Sequence, residues 1–300
     1  MNRIEKIFRT KKKNILSIYF TAGYPELNDT LSVIRELDDS GVDMIEIGMP
    51  FSDPVADGPV IQRSSEKALQ NGISVNRLFE QLKLVRESTD LPLILMGYIN
   101  PFFRFGMENF LQKCSETGID GTIIPDLPVE EYRDAYEPLF EKFNIINVSL
   151  VSPQTPVERI RYIDSFAKGF LYMVSTASTT GSTGSFDNSQ IAYFRKINDL
   201  KLKTPGLIGF GISDKATFKQ ACSYSNGAII GSAFIRALDK EGSLGENIHG
   251  FISKIRTYAI GAVSVPAIKG STVVINYFPK REQEISMPTM KCPAFRQCRI

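Results

Sequence analysis

The segment around which the chain is organised reads DMIEIGMPFSDPVADGP, from Asp43 to Pro59. Its first half predicts a short buried strand, because an apolar run is closed by Gly48 and Pro50. Glu46 interrupts that run, and a carboxylate in such a strand must either face solvent or lie in a pocket that uses it. The second half carries three prolines, two aspartates and a glycine, which predicts a stiff loop. A carboxylate at a strand end followed by such a loop is typical of an active-site rim.

Strands and helices alternate on both sides of this segment. Eight short apolar runs, each followed by a helical pattern, lie within the first 256 residues. Strands joined by helical crossovers run parallel, and eight of them with short connections most economically close into a (β/α)₈ TIM barrel. An open doubly wound sheet is the alternative, but the turn after the first strand reads TAGYP and lacks the usual G-x-G-x-x-G. The predicted strands cover residues 15–20, 43–48, 92–98, 121–126, 145–151, 169–175, 205–211 and 227–231.

The two ends of the chain depart from this alternation. Ile4, Ile7 and Phe8 recur at helical spacing, so a short amphipathic helix is expected to lie against one end of the core. The barrel is predicted to be a catalytic domain over residues 1–256. Residues 257–300 do not follow the pattern and are interpreted as a poorly ordered, basic extension, with a basic docking peptide as the alternative.

Composition excludes several classes of protein. The 300 residues are 43% hydrophobic and 23% charged, with a formal net charge of +2, which gives no footprint for nucleic acid or an acidic partner. No apolar run approaches the ~18 residues of a membrane span, and the basic N-terminus has no apolar region after it. A cytoplasmic protein is therefore expected.

Cysteine and histidine usage argues against a metal centre. Cys114, Cys222, Cys292 and Cys298 form no C-x-x-C pair, and His249 is the only histidine of the sequence. Neither a zinc site nor a disulfide framework is expected. The lone histidine also argues against a Ser/His or Cys/His nucleophilic mechanism.

In a barrel, chemistry is expected at the C-terminal ends of the strands and in the loops after them. Alternation along the second strand places Glu46 on the inner face, where burial would raise its pKa toward neutrality and suit it to proton transfer. Asp57 lies in the following loop, Tyr98 at the end of the third strand and Tyr172 in the sixth. Other interpretations stay open, since Asp57 also begins a turn sequence and Tyr172 could be core filling with its hydroxyl bonded to backbone.

Small residues after the last three strands predict a phosphate site. Backbone N–H groups can approach a phosphate where side chains are small, and a helix N-terminus attracts an anion. The glycines after the seventh strand could instead relieve crowding in the barrel. These positions are Thr180-Gly181, Gly209-Phe210-Gly211 and Gly231-Ser232, after the sixth, seventh and eighth strands in turn.

Over about residues 1–256 the chain closely resembles the tryptophan synthase α subunit family. The resemblance rests on the motifs FTAGYP, EIGMPFSDPVADGP, DLP and GFGIS, together with the late Gly-Ser pair. The second motif is specific to the family, whereas the late glycines alone would indicate only a phosphate-binding barrel. The resemblance implies a carbon–carbon lyase that cleaves indole-3-glycerol phosphate to indole and glyceraldehyde 3-phosphate by a reversible retro-aldol step.

The resemblance also implies roles for individual residues. Glu46 is expected to be the general acid/base that protonates the indole ring carbon and removes the glyceryl hydroxyl proton. Asp57 is expected to bind the indole N–H and stabilise the cationic indolenine, and Tyr172 matches an active-site tyrosine. The remaining matches are Phe20 and Ile61 in the indole pocket, Gly181, Gly211, Gly231 and Ser232 in the phosphate grip, and Thr180 as a mobile-loop threonine that helps to orient Asp57.

A partner is implied in the same way. No cofactor is expected in this subunit, because in the family pyridoxal phosphate belongs to the β subunit, to which indole is channelled in an α₂β₂ complex. Pro50 and Asp53 match loop positions near that interface. Two features depart from the family, namely Thr176 where many members carry arginine, and the extension after Arg256.

Two other functions remain open from the sequence. Another phosphate-binding barrel, such as a sugar-phosphate isomerase or epimerase, would need a second polar proton-transfer group where the indole ring would lie, yet Phe20, Ile61 and Ile123 are apolar. A catalytically silent barrel that regulates a partner fits less well with intact Glu46 and Asp57.

Overall fold

One sheet of nine parallel strands is found in the residues that the computed structural model describes, 1–175 and 186–256. Most strand residues are buried, and aliphatic side chains are frequent among them, as expected for parallel strands covered on both faces. The strands are β1 Ile15–Thr21, β2 Met44–Gly48, β3 Leu93–Met96, β4 Gly121–Ile123, β5 Ile146–Asn147, β6 Ser149–Val151, β7 Leu171–Val174, β8 Gly206–Gly209 and β9 Gly227–Ile230.

The sheet closes into a barrel at Val148. Its strand order is β5-β4-β3-β2-β1-β9-β8-β7-β6, so the two end strands, β5 and β6, are neighbours in sequence and are separated only by this residue. β5 pairs with β4 and β6 pairs with β7. Val148 itself is buried in the barrel interior, and its N–H donates to the Thr122 carbonyl at 2.9 Å. The predicted (β/α)₈ TIM barrel is confirmed, with the fifth predicted strand divided between the two edges.

Helices surround the sheet and follow the predicted alternation. Residues 129–143 are predicted to be mostly helical, with Pro138 kinking or shortening the helix. In the structure the segment is interrupted by a π-helical turn at Tyr132–Tyr136, just before Pro138, because proline cannot donate the hydrogen bond that a regular helix needs there. The helices are α1 Arg3–Thr10, α2 Thr30–Asp39, α3 Pro59–Gln70, α4 Val75–Leu82, α5 Ile99–Phe105, α6 Met107–Thr117, α7 Val129–Glu131, α8 Glu137–Lys142, α9 Val157–Phe166, α10 Asn188–Asp199, α11 Lys215–Tyr224, α12 Ser232–Leu238 and α13 Leu244–Ile255, with a 3₁₀ turn at Val85–Glu87.

Apolar side chains form two separate clusters, one inside the barrel and one between the barrel and its helices. In β2, Met44 belongs to the inner cluster, whereas Ile45 and Ile47 belong to the outer one. This alternation is the one predicted, and it places Glu46 on the inner face. Ile4 and Phe8 of α1 also belong to the inner cluster, so the N-terminal helix closes the bottom of the barrel as expected.

Two buried aspartates fix the N-terminal ends of the strands. Asp43, before β2, accepts hydrogen bonds from the Lys11 ammonium at 2.7 Å and from the Arg256 guanidinium. Asp120, before β4, forms an ion pair with Arg86 at 2.6 Å. These contacts tie both ends of the barrel domain to the bottom of the sheet. Across the described ranges, no helix is both long and apolar enough to cross a membrane.

Candidate active site

Glu46 lies at the centre of the site, on the inner face of β2. Its side chain is completely buried, and it stands opposite Tyr19 of β1 and Ile94 of β3. The Ser17 hydroxyl donates to Glu46 Oε1 at 2.8 Å, while Oε2 has no hydrogen-bond partner within residues 1–175 and 186–256. Burial raises the pKa of Glu46 to about 8, and the bond from Ser17 opposes that rise. A carboxyl group with this pKa can both give and take a proton near neutral pH.

Asp57 is the second carboxyl group, in the loop between β2 and α3. The Tyr98 hydroxyl donates to Asp57 Oδ2 at 3.1 Å and accepts the Ala56 N–H at 2.9 Å. The Tyr98 ring also stacks on Phe51, with ring centroids 5.2 Å apart and planes inclined by 28°. Burial raises the pKa of Asp57 to about 6, although the Tyr98 bond lowers it. The proline-rich loop is thus tied to the end of β3, and its carboxylate is held at the barrel mouth.

Two buried tyrosines complete the inner surface. A side chain at Gly48 would overlap the Tyr19 hydroxyl, and one at Gly209 would overlap the Tyr172 hydroxyl, so each glycine makes room for a ring. Burial raises the pKa of Tyr172, and the charges of the neighbouring carboxyl groups raise it further. Burial likewise raises the pKa of Tyr19, with a second contribution from the charge of Asp57. Both hydroxyls therefore stay neutral at physiological pH and can donate hydrogen bonds.

These groups surround a cavity of about 280 Å³ at the C-terminal ends of the strands. Asp57, Ser65, Tyr19, Tyr98 and Tyr172 are its polar side chains, and Glu46 lies beneath its surface. Most of the remaining lining is apolar, which favours a ring or other apolar group over a sugar. The main apolar side chains of this lining are Met49, Phe51, Met96, Leu150, Val174 and Phe210.

The structure corrects the predicted position of Phe20. Its side chain is buried in the outer cluster between barrel and helices, and Tyr19 lines the cavity instead. The physical reason is the alternation of side chains along β1, which turns residues 15, 17, 19 and 21 inward. Ile61 lies on α3, buried, and outside the lining of this cavity. The expectation for Phe20 rested on the family resemblance, and the ring that lines the cavity belongs to its neighbour Tyr19.

Three residues of the predicted phosphate site, Gly211, Gly231 and Ser232, follow two neighbouring strands. Gly211 follows β8 with a positive φ of 73°, a conformation that favours glycine, and it comes directly after the cavity residue Phe210. Gly231 and Ser232 follow β9 and open α12. Because β8 and β9 are paired, these three residues belong to neighbouring loops beside the cavity. Thr180, Gly181 and Thr176 lie outside the described residues.

The outer side of the β2–α3 loop carries the residues predicted to contact a partner. Pro50 is half-buried, and Asp53 is exposed and accepts a hydrogen bond from Ser52 at 2.5 Å. Val55, in the same loop, is 86% exposed. The loop therefore presents an exposed aliphatic side chain to the outside and a carboxylate to the cavity.

The described part of the chain has no cluster of side chains suited to bind a metal ion. Within residues 1–175 and 186–256, no group of three or more His, Cys, Asp or Glu side chains could hold a metal ion. Cys114 and Cys222 are free and buried. Cys292 and Cys298 lie outside the described residues.

The fold is a (β/α)₈ barrel in which a buried carboxyl group, its pKa raised to about 8, lies beneath a mostly apolar cavity, an arrangement typical of barrel enzymes that use acid–base chemistry. Comparison with known families then gives a closer assignment. Residues 6–260 match the model of the family described as Tryptophan synthase alpha chain. The chain belongs to this family.

Individual relatives agree with the family match. The chain is 57% identical to the tryptophan synthase alpha chain of Flavobacterium psychrophilum over 255 residues, covering 85% of this chain and 100% of that one. Among solved structures, the alpha subunit from Legionella pneumophila superposes with a TM-score of 0.77 at 34% identity, covering 86% of this chain and 98% of that chain. A chain of Mycobacterium tuberculosis tryptophan synthase superposes with a TM-score of 0.76 at 28% identity, over 85% and 96% of the two chains.

Proposed function

We propose that this chain cleaves indole-3-glycerol phosphate to indole and glyceraldehyde 3-phosphate, as the α subunit of a tryptophan synthase. The observation that carries the proposal is the pair formed by Glu46 and Asp57. Burial raises the pKa of Glu46 to about 8 and that of Asp57 to only about 6. At neutral pH the first is therefore mainly protonated and the second mainly ionised, as an acid and an electrostatic stabiliser should be.

The reaction follows from these two charge states. Glu46 gives its proton to ring carbon C3 of the indole group, and the positive charge that develops on the ring is stabilised by Asp57, which accepts the indole N–H. The glyceryl hydroxyl then returns a proton to Glu46 as the bond between C3 and the glyceryl carbon breaks. The electrons of that bond restore the aromatic ring, and the products are indole and an aldehyde. Glu46 ends the cycle protonated, as it began.

The rest of the site fits the two ends of this substrate. The apolar lining from Phe51, Leu150 and Phe210 suits an indole ring. The loops at Gly211 and at Gly231-Ser232 offer backbone N–H groups for the phosphate, because the first N–H groups of a helix have no acceptor within it. No cofactor is needed for this step.

We propose a cytoplasmic assembly with a β subunit in an α₂β₂ complex, in which pyridoxal phosphate belongs to the β subunit. The outer side of the loop around Pro50 and Asp53 is the surface proposed to meet this partner. Val55 in the same loop is largely exposed and would add apolar area to such a contact. A barrel isomerase is not favoured by the apolar cavity, and neither alternative function is favoured by the relatives.

The direct test is indole release from indole-3-glycerol phosphate by the full chain, with and without a tryptophan synthase β subunit. Glu46→Gln keeps the size of the side chain and removes the proton, so it should abolish release while the barrel stays folded. Glu66→Gln, on the exposed side of α3, is the matched control and should release indole at the parent rate. If the folded parent releases no indole under either condition, the proposal is wrong and regulation of a partner becomes the better explanation.

A further inference from the structure

Ser17 stands one step below the cavity, on the inner face of β1. It is completely buried, as is Glu46, and its hydroxyl donates to Glu46 Oε1 at 2.8 Å. Among residues 1–175 and 186–256 no second hydrogen bond to the Glu46 carboxyl group is found. Ser17 is not among the residues that line the cavity.

The other groups around Glu46 do not compete for this role. Ile94 on β3 and Met44, two residues before Glu46 on β2, are apolar. Among the described residues, the hydroxyls of Tyr19 on β1 and Tyr172 on β7 donate no hydrogen bond to Glu46. Asp57, the remaining acid of the site, is bonded to Tyr98.

The segment between β7 and α10 carries no charge in its central part. Residues 176–185 read TASTTGSTGS and contain no ionisable side chain. Ser17 is the one hydrogen-bond partner of the Glu46 carboxyl group in the described chain.

A single hydrogen bond to one oxygen makes the two oxygens of a carboxyl group unequal. The Ser17 hydroxyl can donate to Oε1 both when Glu46 is ionised and when the proton lies on Oε2, so this bond persists through the catalytic cycle. Oε2, buried and without a hydrogen-bond partner among the described residues, is left as the site at which a proton is gained and lost. The bond also fixes the orientation of the carboxyl plane, because the terminal torsion angle of a glutamate side chain otherwise has a broad distribution.

We propose that Ser17 is a positioning residue of the lyase reaction, which holds Glu46 Oε1 and thereby assigns Oε2 as the oxygen that exchanges the proton with the substrate. The inference rests on the proposed function for its catalytic meaning, but the contact between the two side chains is independent of it. Ser17→Ala removes the hydroxyl and leaves Glu46 without its donor. Ser17→Thr retains a hydroxyl and is compatible with a strand.

The kinetic test compares the pH profiles of kcat and KM for the parent, Ser17→Ala and Ser17→Thr, each as full chains with a β subunit. In Ser17→Ala the ionised form of Glu46 loses its donor, so the pKa rises and the alkaline limb of kcat should move up by about one pH unit. We expect kcat to fall about tenfold with KM unchanged, and Ser17→Thr to restore most of the rate. Ser225→Ala removes another buried serine hydroxyl, at the opposite end of the barrel, and should leave the profile in place.

A second readout does not need turnover. In the substrate-free chain, the carboxyl ¹³C signal of Glu46, assigned with Glu46→Gln, should titrate about one pH unit higher in Ser17→Ala than in the parent. If the parent cleaves nothing but this change is seen, the proposed function fails and the Ser17–Glu46 contact stands. The inference is overturned if folded Ser17→Ala keeps both the titration and the alkaline limb of the parent, or if only KM changes. Should Ser17→Ala not fold, Ser17→Cys, a weaker donor of similar shape, must show the same changes for the inference to survive.

Discussion

The Tyr98 hydroxyl donates a hydrogen bond to Asp57 Oδ2 across 3.1 Å, and this bond joins the loop after β2 to the end of β3. The two residues are 41 positions apart in sequence. Since the bond stabilises the ionised carboxylate, it opposes the rise in the pKa of Asp57 that burial causes. Ionisation of the second carboxyl group of the site is therefore controlled from a neighbouring strand.

Replacing Tyr98 with phenylalanine tests this control. Tyr98→Phe keeps a ring that can stack on Phe51 but cannot donate to Asp57, so the pKa of Asp57 should rise above about 6. The acid limb of kcat/KM should then move to higher pH by about one unit. Tyr162→Phe, which alters a tyrosine on the exposed side of α9, is the control and should leave the limb unchanged. An unchanged limb in Tyr98→Phe would show that Asp57 is not the group whose ionisation limits activity at low pH.

The buried Glu46 should make the fold less stable as pH rises. Its pKa is about 8 in the native state against an ordinary 4.5, so between these values the native chain binds more protons than the unfolded chain. The free energy of unfolding therefore falls as pH increases through this window, by about 1.4 kcal/mol for each pH unit. Glu46→Gln removes the titrating group. The free energy of unfolding of this variant should therefore exceed that of the parent by a small amount at about pH 5 and by the largest amount at about pH 9.

Urea denaturation at the two pH values measures this difference. Glu66→Gln again serves as the control for the loss of one negative charge from an exposed position. A stability difference between Glu46→Gln and the parent that is the same at both pH values would contradict the raised pKa.

The glycines that accommodate the two tyrosines should not tolerate a side chain. In Gly48→Ala the new methyl group would overlap the Tyr19 ring, so we expect a loss of about 1–3 kcal/mol of stability together with reduced indole release. In Gly250→Ala, on α13, no atom lies within 4 Å of the new methyl group. That control should keep the parent activity and gain about 0.5–1 kcal/mol from helix propensity. Thermal unfolding and an indole assay on both variants check the contrast, and equal stabilities would refute it.

The end of the barrel domain is expected to lie at Arg256. A chain cut after Arg256 should keep its lyase rate, whereas a chain cut after Ile255 loses the guanidinium that bonds to Asp43 and to the Gly41 carbonyl. Because Lys11 still pairs with Asp43, the cost should be moderate, about 1–3 kcal/mol. Melting temperatures and indole assays of the two truncated chains test this. A large loss of rate in a folded chain cut after Arg256 would show instead that residues 257–300 take part in activity.

Some of these features could be predicted from the sequence and others could not. In β2, a single charged residue among apolar ones reveals which face is which, so the inward direction of Glu46 follows from alternation. The sequence of β1, ILSIYFT, is buried at every position and contains no charged residue, so alternation alone does not tell whether Tyr19 or Phe20 points inward. In strands covered on both faces, periodicity cannot fix which residues point inward.

Contacts between strands are a second limit. The bonds from Ser17 to Glu46 and from Tyr98 to Asp57 depend on strand register and on loop shape, and neither is encoded by local pattern. The interruption of the fifth strand at Val148 was not predicted for the same reason. Helix α5 was not predicted either, because Pro101 lies in its first turn. A proline is usually read as a break, although the first turn of a helix accepts it.

The strand order also determines when the protein can finish folding during its synthesis. Along the sheet from β1 to β5 and from β6 to β9, each strand pairs with a strand close to it in sequence, so these pairs can form as the chain emerges from the ribosome. The pairing of β1 with β9 is different, because Ile15 can pair only after Gly227 has been synthesised. Until then β1 is an unpaired edge, which can recruit other chains. Nascent chains that lack β9 are thus the form most exposed to aggregation and to recognition by chaperones.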